Sequence, residues 1–112
     1  MGEEHPLVIT LSGDWDIYRR DELETVLRPA RERAEVVLDF SAVTYADSTV
    51  LSALAAMRKA RVARGYPPSR VVPSPSVTRL FEITQMSRLW PCFPTIEDAV
   101  RSFEGTPNPN SA

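Results

Sequence analysis

Apolar and polar residues alternate with two different periods along the chain, and each period predicts one type of element. Apolar residues occupy every second position in Leu7–Leu11, which predicts a first strand closed by Ser12-Gly13. The nearly continuous apolar run Val36–Phe40 predicts a second strand buried on both faces, as in a parallel sheet. A short third strand is predicted at Val71–Val72, between prolines, and Cys92–Pro94 is a candidate for a last short strand.

The segments between these strands repeat their apolar residues every three to four positions, which is typical of amphipathic helices. We expect a first helix that is capped near Asp16 and is ended or kinked by Pro29. A second helix is predicted from about Thr49 to Ala63, a third after the start signal Ser74-Pro75, and a fourth after Thr95. Strands that alternate with helices favour an α/β domain with a mostly parallel central sheet.

The predicted second helix follows a loop at Thr44–Ser48 and carries two sets of side chains. Its apolar stripe comprises Val50, Leu51, Leu54, Ala55 and Val62. Its basic cluster comprises Arg58, Lys59, Arg61 and Arg64. Arg58 falls within the stripe, so we expect its aliphatic part to lie on the core and its guanidinium to reach solvent. We interpret the cluster as a solvated face rather than a phosphate-binding track.

Length, composition and charge fit one globular domain and disfavour several classes of function. The chain has 112 residues, 43% of them hydrophobic and 25% charged, with a net charge of -2 and no basic run, which argues against direct nucleic-acid binding. No apolar stretch is long enough to span a membrane, and the acidic N-terminus is unlike a signal peptide. We therefore expect no membrane insertion. A single cysteine, Cys92, excludes an internal disulfide, which fits the reducing cytoplasm, and we expect a cytoplasmic protein. Residues 104–112 lack large apolar side chains and are predicted to be a disordered tail.

The candidate chemistry lies at the start of the second helix, where Asp47, Ser48 and Thr49 are adjacent. These residues can cap the helix, form the centre of a catalytic site, or present a hydroxyl that another protein modifies. Catalysis by Ser48 requires a base, and nothing in the sequence brings the single histidine, His5, close to it. We therefore predict that the protein is not an enzyme.

Metal and cofactor sites are also disfavoured. The chain has no cluster of cysteine and histidine, and Asp14 with Asp16 are two acids without a further ligand set. No glycine-rich phosphate-binding motif occurs. A helix N-terminus does tolerate a phosphate, because it offers free N–H groups and the positive end of the helix dipole. Phosphorylation of a hydroxyl there adds roughly -1.5 to -2 charges and changes a binding surface without breaking the fold.

Three segments resemble the STAS family, the anti-sigma-factor antagonists. The segment VVLDFSAVTYADSTVLSALAAMRKA is similar to the family signature, in which an apolar strand and a short loop precede Asp-Ser-Ser/Thr-Gly-Leu at the start of a helix. LSGDWD resembles the end of the family's first strand, with Gly13 and Asp16 in place. PSPSVTRLFEITQMSRLWPCFPTIEDAV resembles the family's third and final helices. The resemblance runs in order from Leu7 to Phe103.

The resemblance implies a fold and a function. The fold is a STAS-like single domain over residues 1–103, with a mixed, mostly parallel sheet of four to five strands and about four helices. The function is partner switching in transcription regulation. The unphosphorylated protein binds an anti-sigma factor, usually a serine kinase, so that a sigma factor is released. The kinase phosphorylates the antagonist and abolishes binding, and a phosphatase restores it.

The resemblance also assigns roles to residues of this chain. Ser48 corresponds to the phosphorylated hydroxyl. Asp16, Asp47, Thr49 and Leu51 correspond to positions at the partner-binding surface, together with Ser48 itself. The partner's ATP supplies the phosphoryl group, so no cofactor is expected in this chain.

Two positions depart from the family pattern, and the first of them favours an alternative function. Val50 stands where the motif has glycine, and a β-branched residue there is expected to crowd an approaching partner. Gln85-Met86 stands where a glycine usually turns the chain, so strain is expected at Met86 or Ser87. The alternative function is that of an unphosphorylated STAS subunit in a larger assembly, such as a lipid-transport complex or a stress-signalling scaffold.

Overall fold

The computed structural model describes residues 5–104, in which strands and helices alternate as the sequence predicts. The strands are β1 (Leu7–Trp15), β2 (Val36–Ala46) and β3 (Arg70–Pro73). They form a sheet in the order β1-β2-β3, and both pairs of neighbours are parallel. The fold is therefore an α/β domain with a parallel sheet.

The expected number of four to five strands is wrong, because the sheet of the described residues has three. The candidate strand Cys92–Pro94 contributes only an isolated parallel bridge between Cys92 and Val71. Proline has no N–H for a sheet ladder, and Pro91 and Pro94 enclose this segment, so pairing stops after one bridge.

Four α-helices lie within residues 5–104, in agreement with the predicted number. They are α1 (Arg20–Leu27), α2 (Ser48–Ala63), α3 (Pro75–Thr84) and α4 (Ile96–Glu104). A 3-10 turn at Ile17–Arg19 precedes α1, and a second at Arg28–Glu32 follows it, where Pro29 ends the helix as predicted. Glu104 belongs to α4, and the rest of the predicted tail lies outside the described residues.

Both long strands continue beyond their predicted ends. β1 passes through Ser12-Gly13, and β2 extends to Ala46, so the loop predicted at Thr44–Ser48 is wrong for most of its length. Register shifts occur between Thr10 and Ser12 and between Gly13 and Asp14, and the ladder then resumes. Pairing to a neighbouring strand therefore overrides the local turn signal of Ser12-Gly13.

The core lies on both faces of β2, as the apolar run predicted. Leu38 belongs to a large cluster that includes residues of α1, α2 and α3. Val37, which precedes Leu38, belongs to a smaller cluster with Val72 of β3 and Ala99 of α4. Successive side chains of a strand point to opposite faces, so α4 covers one face of the sheet and the other three helices cover the opposite face.

The buried stripe of α2 differs from the predicted one. The buried residues are Val50, Leu54, Met57 and Arg61. Val62 is 56% exposed and Ala55 is exposed, so their assignment to the stripe was wrong.

The arginine that enters the stripe is Arg61, only 2% exposed, and not Arg58, which is exposed. Its guanidinium donates to four carbonyl oxygens, those of Ala30, Arg33, Ala34 and Pro67. Burial lowers the pKa of Arg61 from its ordinary value. The basic cluster is therefore not entirely a solvated face, because one member connects the ends of three segments of the chain.

The local signals for helix ends are confirmed with one correction. Ser74 accepts a hydrogen bond from the N–H of Val77 at 3.2 Å, and Thr95 accepts one from the N–H of Asp98 at 3.0 Å. The left-handed residue after α3 is Gln85, with φ of 60°, and not Met86 or Ser87 as expected. Gln85 therefore takes the position at which glycine is most easily accommodated.

Candidate functional site

The candidate site lies at the carboxyl edge of the sheet, where β1 and β2 end side by side. Trp15 and Ala46 are register partners at the last position of the two strands. Asp16 and Asp47 follow these residues directly, so the fold brings together two acids that are far apart in the sequence. This is the edge at which open α/β sheets commonly present their functional groups.

Asp47 is the N-cap of α2. Its backbone is extended, with φ of -128° and ψ of -163°, and its carboxylate accepts the N–H of Thr49 at 2.9 Å. Its carbonyl oxygen accepts the N–H of Val50 at 3.0 Å. The predicted capping role is confirmed for the acid, and the helix begins at Ser48, one residue before the expected position.

Asp16 repeats this geometry at the end of β1. Its φ of -119° and ψ of -173° are also extended, and its carboxylate accepts the N–H of Tyr18 at 3.0 Å. Its carbonyl oxygen accepts the N–H of Arg19 at 3.0 Å. Asp16 thus caps the short turn Ile17–Arg19 before α1, close to the capping position that the sequence predicted.

The turn after Asp16 is braced by Arg19. Its guanidinium lies 3.6 Å above the centre of the Trp15 ring and donates to the carbonyl of Asp14 at 2.9 Å. It also forms a 3.0 Å ion pair with Glu22, and the hydrogen bond between them raises the pKa of Arg19 and lowers the pKa of Glu22. Trp15 is only 3% exposed, so it supports the turn from below rather than offering a contact surface.

A groove of about 360 Å³ lies between the Asp16 turn, α1 and the start of α2. We call it the Ser48 groove. It is lined by Ile17, Arg20, Glu24, Ser48, Thr49, Ser52 and Ala53. Arg20 and Glu24 form a loose ion pair of 3.8 Å between exposed side chains. Three hydroxyls and one pair of opposite charges make the walls polar, and the groove is open to solvent.

The predicted site residues take different positions around the Ser48 groove. Ser48 and Thr49 line it, and within residues 5–104 the hydroxyl of exposed Ser48 takes part in no hydrogen bond. Asp16 and Asp47 are occupied as caps at the two strand ends. Leu51 is partly buried against the core and does not line the groove.

Two exposed apolar residues beside the groove were missed by the sequence analysis. Ile17 is 61% exposed and Tyr18 is 92% exposed, and both lie in the turn that follows Asp16. Large apolar side chains that stay in solvent next to a polar groove are typical of protein contact surfaces. Their position directly after a capping Asp, outside any helical stripe, was the available signal.

The geometry also bears on the catalytic interpretation. His5 precedes the first residue of β1, whereas Ser48 lies beside the last. A strand of nine residues is about 30 Å long, so the histidine is far from the hydroxyl.

Among residues 5–104 there is no group of three or more potential metal ligands. The described part of the chain also has no helix that is both long and apolar enough to cross a bilayer.

The structure resembles solved anti-sigma factor antagonists along most of its length. SpoIIAA in its unphosphorylated form matches with a TM-score of 0.72 and 18% identity over 96% of both chains. An anti-sigma factor antagonist from Mycobacterium paratuberculosis matches with a TM-score of 0.73 and 23% identity, over 93% of this chain and 90% of that one. The phosphorylated form of SpoIIAA, a Bacillus cell fate determinant, matches with a TM-score of 0.65 and 17% identity, over 92% and 95%.

At these identities the structural matches establish the fold, and the sequence itself establishes the family. The family model of the STAS domain matches residues 2–99, which is most of the chain. The first two segments that carry the resemblance, with Asp16 and Asp47 after the ends of β1 and β2, lie within this range, and the third extends beyond it only by Val100. The chain belongs to the STAS domain family.

Proposed function

We propose that this protein is an anti-sigma factor antagonist that binds an anti-sigma factor, a serine kinase, while Ser48 is unphosphorylated. Phosphorylation of Ser48 by that kinase ends the binding, and a phosphatase restores it. The protein acts in the cytoplasm as a switch without catalytic activity or a cofactor of its own. The observation that carries the proposal is the exposed hydroxyl of Ser48, free of hydrogen bonds to residues 5–104, at the start of α2.

The cap of α2 supports a modification that leaves the fold intact. Asp47, not Ser48, accepts the N–H of Thr49, so the helix start does not depend on the Ser48 hydroxyl. A phosphate at this position is compatible with the positive end of the helix dipole. Ser48 is therefore placed where a kinase can modify it without unfolding the helix.

The proposed contact surface consists of the Ser48 groove and the turn beside it. Tyr18 and Ile17 supply exposed apolar area, which is the usual source of binding energy at the centre of an interface. Ser48 and Thr49 supply small neutral hydroxyls at its edge. A partner that fits these hydroxyls covers both strand ends at once.

A phosphate on Ser48 spoils this surface by charge and bulk. It brings roughly -1.5 to -2 charges at neutral pH. Asp47 lies next to it, and Arg20, the arginine that lines the groove, is already paired with Glu24, so the local charge becomes negative. A partner surface fitted to a neutral hydroxyl then pays a desolvation penalty that it does not recover.

The Val50 departure does not oppose this proposal. Val50 is only 2% exposed, because its side chain points into the core rather than into the Ser48 groove. The expected crowding of a partner by a β-branched residue at this position is therefore absent. Its burial removes the one feature that favoured a permanent, unphosphorylated subunit.

The test is the phosphorylation state of the protein isolated from its native cells. Intact mass is measured with and without phosphatase treatment, and the shifted species is mapped by peptide sequencing. The proposal expects one phosphate on Ser48 and none on the neighbouring Thr49, whose side chain serves as the internal control. An unmodified Ser48 across growth and stress conditions contradicts the switch and points to the subunit of a larger assembly.

A further inference from the structure

A second cavity lies at the opposite end of α2 from the Ser48 groove. It has a volume of about 130 Å³ and lies between the last turns of α2, the segment before β3 and the segment before α4. We call it the Ser69 cavity. The lining residues that matter here are Arg58, Val62, Tyr66, Ser69, Leu89 and Trp90. No residue of the Ser48 groove takes part in it.

Ser69 is the polar group that distinguishes this cavity. The residue is 2% exposed, and its hydroxyl has no hydrogen-bond partner among the described residues. Burying a hydroxyl without a partner is costly, so buried polar side chains are nearly always satisfied. An unpaired hydroxyl at the wall of a cavity is accounted for by a ligand that accepts its hydrogen bond.

The other walls are mainly apolar. Val62 on α2 and Leu89 and Trp90 before α4 form aliphatic and aromatic surfaces, and the ring of Tyr66 adds to them. A single water, with a share of liquid volume of about 30 Å³, fills only part of the cavity and leaves these apolar walls uncovered. The cavity therefore favours an occupant with an apolar body and one polar end.

The charges around the cavity are positive. Helix α2 contains no Asp or Glu, and Arg58 forms no ion pair with any residue that the structure describes. Arg61, which also lines the cavity, donates to carbonyl oxygens and lies 5.4 Å from the centre of the Tyr66 ring, and no carboxylate of the described residues pairs with its buried charge. Two uncompensated guanidinium groups favour an anionic polar end.

We propose that the Ser69 cavity binds a small carboxylate with a compact apolar body, such as an aromatic or short branched-chain acid. The apolar body lies against Val62, Leu89 and Trp90. The carboxylate accepts the Ser69 hydroxyl and pairs with the guanidinium of Arg58. The volume is below the roughly 300–1,000 Å³ of sites for drug-sized ligands, which limits the occupant to a small molecule.

This binding site is independent of the proposed switch at Ser48. Helix α2 has 16 residues and is about 24 Å long, and the two sites lie at its two ends. A ligand in the Ser69 cavity does not touch the groove. Failure of one proposal therefore leaves the other intact.

The test is a titration of the full chain with benzoate, followed by amide and indole NMR signals. We expect saturable shifts confined to Ser69, Tyr66, Trp90 and their neighbours, with a dissociation constant of roughly 1 mM. Benzamide, which has nearly the same shape without the charge, is expected to bind at least about ten-fold more weakly. Shifts that do not saturate, or that are equal for benzoate and benzamide, overturn the proposal.

The matched variants are Arg58→Gln in α2 and Arg64→Gln at its C-cap, because both arginines are exposed and only Arg58 lines the cavity. Arg58→Gln is expected to weaken benzoate binding about ten-fold, and Arg64→Gln by less than about two-fold. Equal loss in both variants means that benzoate responds only to the general charge of α2, which contradicts a defined site.

Ser69→Ala separates a ligand-binding hydroxyl from a structural one. Without ligand, removal of an unpaired buried hydroxyl is expected to raise the unfolding midpoint by roughly 4 °C. With benzoate, the same variant is expected to bind about five-fold more weakly, because the ligand loses a donor. A variant that melts lower than the wild type, or binds benzoate equally well, shows that Ser69 has another role and overturns the assignment.

Discussion

The ends of β1 and β2 use the same cap but present different side chains. Asp16 and Asp47 have nearly the same extended backbone, and each carboxylate accepts the amide two residues later. After Asp16 comes a 3-10 turn with exposed Ile17 and Tyr18, whereas Asp47 opens a helix of 16 residues with Ser48. The comparison teaches that the cap sets the geometry and that the following residues decide the chemistry.

The third residue after each cap explains why the two ends diverge. Val50 is buried in the core, so the chain after Asp47 continues directly as a helix that packs along the sheet. Arg19 instead lies over Trp15 and pairs with Glu22, which holds a short turn at the surface before α1 begins. Burial of Val50 holds the start of α2 in place. The turn after β1 is instead held by Arg19, through its contact with the Trp15 ring and its ion pair with Glu22.

The largest expected effect is on binding of the anti-sigma factor when Ser48 is replaced. Ser48→Glu is expected to weaken binding of the anti-sigma factor by about 3 kcal/mol, because a desolvated charge is introduced beside Asp47. Ser48→Ala keeps a small neutral side chain and is expected to bind within about 0.5 kcal/mol of the wild type. Calorimetric titration with the purified partner measures both. Equal binding by the two variants means that the start of α2 is not the contact.

The second largest effect tests the exposed apolar residues in the turn after Asp16. Tyr18→Ala is expected to weaken partner binding by about 2 kcal/mol, as for an aromatic anchor at an interface. Since Tyr18 is 92% exposed, the free energy of unfolding is expected to change by less than about 0.5 kcal/mol. The control is Ile83→Ala, which removes another exposed apolar side chain, 71% exposed, from α3. If both substitutions weaken binding alike, the turn after Asp16 has no special role.

A third experiment compares the two caps themselves. Asp47→Ala is expected to lower the free energy of unfolding by about 1 kcal/mol, because a partly buried hydrogen bond at the start of a long helix is lost. Asp16→Ala is expected to cost about 0.5 kcal/mol, because its bond is exposed and begins only a short turn. Urea denaturation of the three proteins gives the difference. A larger loss for Asp16→Ala contradicts this account of the two ends.

The smallest effect is a pH dependence of stability that comes from the Arg19–Glu22 pair after the end of β1. The pKa of Glu22 is lowered by the hydrogen bond from Arg19, so the pair stabilises the fold above the ordinary pKa of glutamate. This stabilisation is lost as the pH falls through the lowered pKa of the folded state. Carboxyl NMR titration of Glu22 should show the lowered pKa in the wild type and its return towards the ordinary value in Arg19→Gln. An unchanged titration in the variant rules out Arg19 as the cause.

Local signals in the sequence were sufficient where the partner groups are close along the chain. Asp47, Ser74 and Thr95 all accept hydrogen bonds from amides two or three residues later. Ser74 and Thr95 were predicted as caps from their residue type, and Asp47 was one of three adjacent candidates. Pro29 ended a helix as expected, because the missing N–H acts within one turn. The burial of Val36, Val37, Leu38 and Phe40 also followed from the apolar run, which is typical of a strand covered on both faces.

Tertiary structure decided what depends on groups far apart in the sequence. The extension of β2 to Ala46 required the β1 ladder, and the count of strands depended on where prolines interrupt pairing beside β3. Arg61 is buried because carbonyls 6 to 31 residues away accept its donors, which no helical period reveals.

The candidate site shows the same division. The sequence by itself determined its acids, its hydroxyls and its family pattern, because these are residue identities at fixed spacing. Tertiary structure alone placed exposed Ile17 in the same groove as Ser48 and left the Ser69 hydroxyl unpaired, because both result from how separate segments pack against one sheet. Spacing along a chain specifies which groups are present, and packing specifies which of them meet.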